Sequence, residues 1–121
     1  MRGLNIIVAA GDGARLYAAL ETAMAAAALG KSVRLFLQGE AAALLRTPVA
    51  HDGDPARRAA GQPGLAELVA EAAAMDVALF VCQSGMALAE LTADDLAPQA
   101  RPSGLVSFLV GAEADDRLVV Y

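Results

Sequence analysis

Val77 to Val81 is an unbroken run of five apolar residues, Val-Ala-Leu-Phe-Val, set between Asp76 and Cys82. A run this short, rich in β-branched and aromatic residues, reads as a strand buried on both faces. Such strands belong to parallel sheets covered by helices on either side. Helix-forming residues resume at Met86-Ala87-Leu88, just past Gln83-Ser84-Gly85. The run is therefore a strand that turns directly into a helix, which is the unit of an α/β fold.

The rest of the chain repeats this unit. Leu4–Ala10 reads as a first buried strand, broken by Gly11-Asp12-Gly13. Ala14 to Leu29 is an alanine-rich helix with Leu16, Leu20, Ala23, Met24 and Ala27 at helical spacing. Gly30 supplies its stop. Ser32–Leu37 is the second strand, followed by a short helix over Ala41–Leu45. Leu65–Met75 is a second long helix with Leu68, Val69 and Ala72 facing inward. After Cys82 come a helix over Ser84–Leu91, a turn capped by Thr92 and Asp95, an irregular stretch over Ala97–Ser103, a helix over Gly104–Ala112 and a final strand over Arg117–Tyr121. The pattern predicts a three-layer α/β/α sandwich with a mainly parallel sheet of four to five strands; it does not give the strand order, although a central first strand is the commoner arrangement for such chains. At 121 residues the chain makes one domain, 1–121. Residues 47–64 hold Pro48, Gly53, Pro55, Gly61, Pro63 and Gly64, and are expected to form a mobile surface loop with a helical turn near Pro55–Ala60.

Composition narrows function. The formal charge is −5, with Lys and Arg scattered, which argues against direct nucleic-acid binding. No helical apolar stretch is long enough for a membrane span, and Met1-Arg2-Gly3-Leu4 lacks the pattern of a signal peptide, so a soluble cytoplasmic protein is expected. One cysteine and one histidine, His51, exclude a disulfide framework and leave no metal set; no cofactor is expected. Gly11-Asp12-Gly13 lacks the further glycine of a dinucleotide fingerprint, and Gln38, rather than an acid, ends the second strand.

Chemistry concentrates at Cys82. Ligands in open α/β sheets bind at the carboxyl ends of the strands, where this residue stands. The amides of Ser84 and Gly85 and the Ser84 hydroxyl are placed to favour a thiolate, with Gln83 on the rim. The alternative is a buried core cysteine, with Ser84 a plain helix cap. Asp12 falls at the same sheet edge, either as a polar group of the site or, more simply, as a helix N-cap. His51, Arg57 and Arg58 read as solvated loop groups, and Glu40 as a residue opening a helix. The pairs Asp94-Asp95 and Asp115-Asp116 are adjacent in turns and do not form an acid/base dyad.

The order of these pieces resembles the DsrE/TusD-like sulfur-relay family. The resemblance rests on the opening strand and Asp/Gly loop, Ala-Leu-Glu-Thr-Ala leading to Leu-Gly-Lys, then Val-Arg-Leu-Phe-Leu and Gly-Glu-Ala. It continues in Val81-Cys82-Gln83-Ser84-Gly85-Met86, Leu91-Thr92-Ala93-Asp94-Asp95-Leu96, the Ser103–Leu109 stretch and the closing Asp116–Tyr121. It implies a small cytoplasmic protein forming homo- or hetero-oligomers, often trimers or hexamers. It also implies that Cys82 carries sulfur as a persulfide between donor and acceptor proteins. The competing expectation is an oligomeric assembly or binding module of the same fold that transfers no sulfur. Residues 47–64 have no counterpart in the resemblance, and the end of the chain has no second cysteine.

Overall fold

The structure is a computed structural model that describes residues 2–121. Five strands form one sheet: β1 (Gly3–Val8), β2 (Ser32–Leu37), β3 (Ala78–Cys82), β4 (Ala100–Ser103) and β5 (Arg117–Val120). The helices are α1 (Gly13–Ala28), α2 (Asp54–Ala59), α3 (Leu65–Ala74), α4 (Gln83–Leu88) and α5 (Leu105–Val110), with 3₁₀ turns at Gly39–Leu45 and Ala93–Asp95. Strand order is β4-β3-β2-β1-β5, and every adjacent pair is parallel. Helices lie on both sides, so the fold is the expected α/β sandwich.

Chain direction explains the layering. From β1 to β4 each strand is laid beside the last in the same direction across the sheet. Right-handed connections then put all their helices on one face. The final connection runs back from β4 to β5, beyond β1, and so puts α5 on the opposite face. The two apolar clusters agree with this division. Leu4, Ile6, Val8, Leu35, Leu37, Leu79 and Val81 pack with Leu16, Leu20, Leu68, Val69 and Met86 from α1, α3 and α4. On the other face Ile7, Phe36 and Cys82 pack with Phe108 of α5.

That second face is thinly covered. Phe108 stacks on Phe36 with ring centroids 5.0 Å apart, an aromatic pairing worth about 1 kcal/mol beyond its buried area. Arg34 holds the end of the helix: its guanidinium donates to the Phe108 carbonyl at 2.7 Å and to Asn5 Oδ1 at 2.9 Å. Asn5, itself buried, donates to Asp116. Around this anchor Val106, Leu109 and Val110 of α5 and Leu118 and Val120 of β5 stay exposed.

Several expectations need correction. The first strand is interior but not central; β2 is central. Ala97–Ser103 is not wholly irregular, because β4 occupies Ala100–Ser103 despite Pro102. It is an edge strand, where proline is tolerated because its missing N–H faces away from the ladder. Cys82 is the last residue of β3, not the first beyond it, and α4 ends at Leu88 rather than Leu91. The expected helix over Ala41–Leu45 is a 3₁₀ turn beginning at Gly39.

Residues 47–64, expected as a mobile loop, are tied to α1. Asp54, 3% exposed, accepts from the Tyr17 hydroxyl at 2.5 Å and from the amides of Leu65 and His51 at 2.9 and 3.1 Å. Arg57 lies over the Tyr17 ring, 4.4 Å from its centroid, and donates to the Pro63 carbonyl. A buried carboxylate with three donors joins this segment to α1 and to the start of α3. The helix that the sequence places near Pro55–Ala60 is α2.

Candidate functional site

The connections after β3 and β4 leave the sheet in opposite directions, α4 to one face and α5 to the other. Adjacent strands that part in this way open a crevice at their carboxyl ends. Cys82 ends β3 in that crevice and directly precedes α4, with backbone angles φ −61° and ψ 121°. It pairs with Ser103 of β4. A pocket of about 400 Å³ opens there, lined by Gln38, Gly39, Cys82, Gln83, Ser84, Gly104 and Leu105. Cys82 forms part of its floor and is only 5% exposed.

Burial pushes the Cys82 thiol up, because it disfavours the thiolate. Four hydrogen bonds oppose this: from the Gly39 amide, the Ser84 hydroxyl, and the Gly85 and Ser84 amides. Together they outweigh burial and hold the thiol below its ordinary value. The Ser84 Oγ lies 3.1 Å from Cys82 Sγ. The pocket lining contains no charged side chain. A thiolate here is stabilised by backbone dipoles and a hydroxyl, not by a neighbouring cation.

Two glycines make this arrangement possible. Gly39 has φ +56°, a left-handed conformation open to glycine at little cost. Gly85 sits against the turn that contains Gly39, and a Cβ there would overlap the Gly39 carbonyl oxygen. The Gly39–Leu45 turn and α4 therefore meet backbone to backbone beside the sulfur.

The other sequence-predicted residues divide. Gln83 and Ser84 line the pocket, and Gly85 contributes an amide to the sulfur. Asp12 is at the same sheet edge but follows β1, and β2 separates β1 from β3. Its carboxylate accepts from the Arg15 amide at 2.9 Å and pairs with the Arg15 side chain, so it caps α1 and does not line the Cys82 pocket. His51 is not a freely solvated residue. Its ring meets Tyr17 edge-on and faces the Gly13 amide at Nε2 and the Gly53 amide at Nδ1, at 3.1 and 3.2 Å. A neutral imidazole has one acceptor nitrogen, so it serves one of these amides at a time. Arg57 likewise packs on Tyr17. Asp95 completes a capping box with Thr92, and Asp116 bonds Glu113 and Asn5, so neither aspartate pair forms a dyad.

Gly39, Gly104 and Leu105 were not singled out by sequence reasoning. Gly39 carried a signal, a glycine just past a strand at the carboxyl edge. Gly104 and Leu105 were hidden because Pro102 masked β4. Another pocket, of about 420 Å³, lies at the amino ends of β3 and β4, beside Asp76, Val77 and Arg101, and holds no nucleophile. Among the described residues, no group of three His, Cys, Asp or Glu side chains is placed to hold a metal ion. None of the helices there is long and apolar enough to cross a membrane.

Comparison with known proteins agrees with this architecture. The chain resembles the ychN protein of E. coli, with a TM-score of 0.69 and 19% identity over 100% of both chains. It also resembles MTH1491 of Methanobacterium thermoautotrophicum, a protein of unknown function, with a TM-score of 0.66 and 14% identity over 100% of both chains. At these identities the likeness is one of fold. No curated protein matches by sequence. The profile of the DsrE/DsrF-like family matches residues 4–121, which takes in every strand from Leu4 of β1 onward together with the Cys82 turn, and the chain belongs to that family.

Proposed function

We propose that this protein is a sulfur carrier that accepts and passes sulfane sulfur as a Cys82 persulfide, between a donor protein and an acceptor protein. The observation that carries the reading is the place of the Cys82 sulfur, on the floor of an uncharged pocket at the carboxyl end of β3 with the Ser84 hydroxyl 3.1 Å away; the Gly39, Ser84 and Gly85 amides favour its thiolate. The thiolate attacks the outer sulfur of a donor persulfide. A bond forms from Cys82 Sγ to that sulfur, the donor's S–S bond breaks, and the donor leaves as a thiolate that takes a proton from water. An acceptor thiolate then attacks the outer sulfur of the Cys82 persulfide and regenerates the Cys82 thiolate. No net oxidation occurs, so neither metal nor cofactor is required. The rate follows thiolate fraction and access.

The test is intact-mass measurement after exposure to tetrasulfide. Cys82 gains one sulfur, about 32 Da, that a reductant removes. A Cys82→Ser variant that folds and still gains sulfane sulfur would refute the reading.

A second reading, an assembly module without sulfur transfer, is favoured by the open apolar face. Leu118 and Val120 of β5 are 52% and 62% exposed, and Val106 and Val110 of α5 are exposed as well. Apolar patches of this kind mark association surfaces. Self-association itself is compatible with either reading, and we take the working form to be a homo-oligomer, a trimer or hexamer. If Cys82 is incidental, alkylation requires denaturant; if it is the carrier, alkylation proceeds in the native protein.

A further inference from the structure

Beside the sulfur pocket lies a groove between the Gly39–Leu45 turn and α4. It has a volume of about 290 Å³ and is lined by Gly39, Glu40, Ala43, Gly85, Leu88 and Ala89. Gly39 lines both cavities, and the amides of Gly39 and Gly85 are two of the donors to Cys82. The groove thus adjoins the sulfur pocket across Gly39. Its far end is apolar: Leu88 is 85% exposed, more than any other large apolar side chain among the described residues. Glu40 stands at the near end over Gly11, exposed and without an ion pair among the described residues. Arg46 reaches the opposite end of α4, where it donates to the Ala89 carbonyl.

We infer that this groove docks the partner protein's segment that bears the sulfur-exchanging cysteine, and that this segment carries an apolar side chain and a basic one. The inference rests on the carrier reading above. Leu88 follows Gly85 by three helical residues, about 4.5 Å of rise. An extended segment advances about 3.3 Å per residue and shows alternate side chains to one face. With its cysteine at the sulfur pocket, the residue two positions away meets Ala43, Leu88 and Ala89. A lysine or arginine two positions beyond the cysteine, on the other side from the apolar residue, shares that face and meets Glu40. An acidic residue there meets a like charge on a chain of net charge −5.

The test uses three short peptides persulfidated on cysteine: Leu-Gly-Cys-Lys-Lys, Leu-Gly-Cys-Glu-Glu and Gly-Gly-Cys-Lys-Lys. Rates of sulfur transfer to Cys82 are read by mass and normalised to loading by tetrasulfide. The first peptide loads Cys82 at least tenfold faster than the second and several-fold faster than the third. Glu40→Gln collapses the first ratio and Leu88→Ser the second. Both residues are exposed, so neither substitution threatens the fold. Equal rates for all three peptides, with tetrasulfide still loading Cys82, would overturn the docking groove and leave the carrier reading standing. Preferences that survive in both variants would overturn the assignment to this groove. If no donor loads Cys82, tetrasulfide included, the carrier reading falls and the groove with it.

Discussion

Gly85 packs so closely on Gly39 that the Gly39 carbonyl oxygen occupies the space of any side chain at residue 85. The contact joins α4 to the turn after β2, and the amides of both glycines reach the Cys82 sulfur. Packing and thiol chemistry therefore depend on the same backbone approach. Gly85→Ala forces the two elements apart, at a cost of about 1–3 kcal/mol. It also withdraws the Gly39 amide, so the Cys82 thiol rises toward its ordinary value. Urea unfolding and the pH dependence of alkylation read the two effects in one variant. A variant with reduced stability but unchanged alkylation would separate them.

The Ser84 hydroxyl, 3.1 Å from Cys82 Sγ, is the side-chain donor among the groups holding the thiol down. Ser84→Ala lowers alkylation of the native protein at neutral pH about fivefold, the worth of one hydrogen bond of roughly 1 kcal/mol. The midpoint of the rate against pH moves upward, because less of the thiol is ionised at a given pH. A midpoint unchanged from the parent protein would show that the backbone amides alone hold the thiolate.

Asp54 and Tyr17 titrate in opposite directions from one hydrogen bond. Burial opposes ionisation of Asp54, but the Tyr17 hydroxyl, the His51 and Leu65 amides and the Arg58 charge outweigh it and hold the carboxyl below the usual range. A depressed carboxyl contributes stability above its unfolded value that is lost as pH falls through the folded one, so this contribution fades from about pH 4 downward. Tyr17 is pushed up to about 12 by burial and by the Asp54 hydrogen bond and charge. Its contribution is present below the unfolded value near 10 and is lost as pH rises through the folded one. Asp54→Asn costs about 2–3 kcal/mol at neutral pH, since one buried donor loses its acceptor. Tyr17→Phe abolishes the alkaline loss. Urea midpoints measured across pH read both.

The open face beside α5 gives a concentration-dependent prediction. Leu118→Asp with Val120→Asp places two charges on exposed positions of β5. Monomer folding tolerates them, whereas burial of unpaired charge between subunits costs several kcal/mol. Sedimentation velocity shows the parent protein as an oligomer and the double variant as a monomer. An oligomer that survives the substitutions lies on another face.

The legible parts of the sequence are those where local chemistry and the tertiary fold agree. Ser32–Leu37 is a strand at the expected bounds, Gly30 adopts the positive φ of a helix stop, and Thr92 and Asp95 form the expected capping box. Cys82 stood out because a lone cysteine closed a buried strand. β4 was missed because Pro102 is a breaker in every position but an edge, and edge status is a property of the whole sheet. The anchoring of residues 47–64 was missed because Asp54 reads as a loop charge until Tyr17, 37 residues earlier, is placed above it. Gly39 was passed over because its amide meets the sulfur only after two consecutive strands have been laid side by side.

The place of β5 bears on how the molecule is made. Ile7 pairs with Val120, and Tyr121 donates to the Ile7 carbonyl, so the first strand's outer edge is closed by residues more than a hundred positions later. A chain emerging from the ribosome can build β1 to β4 from neighbouring segments, yet β1 keeps a bare edge until residues 117–121 follow. Such long-range closure is slow and leaves a nascent edge open to the wrong strand. In this protein the sheet is sealed only once the segment 117–121 has been made.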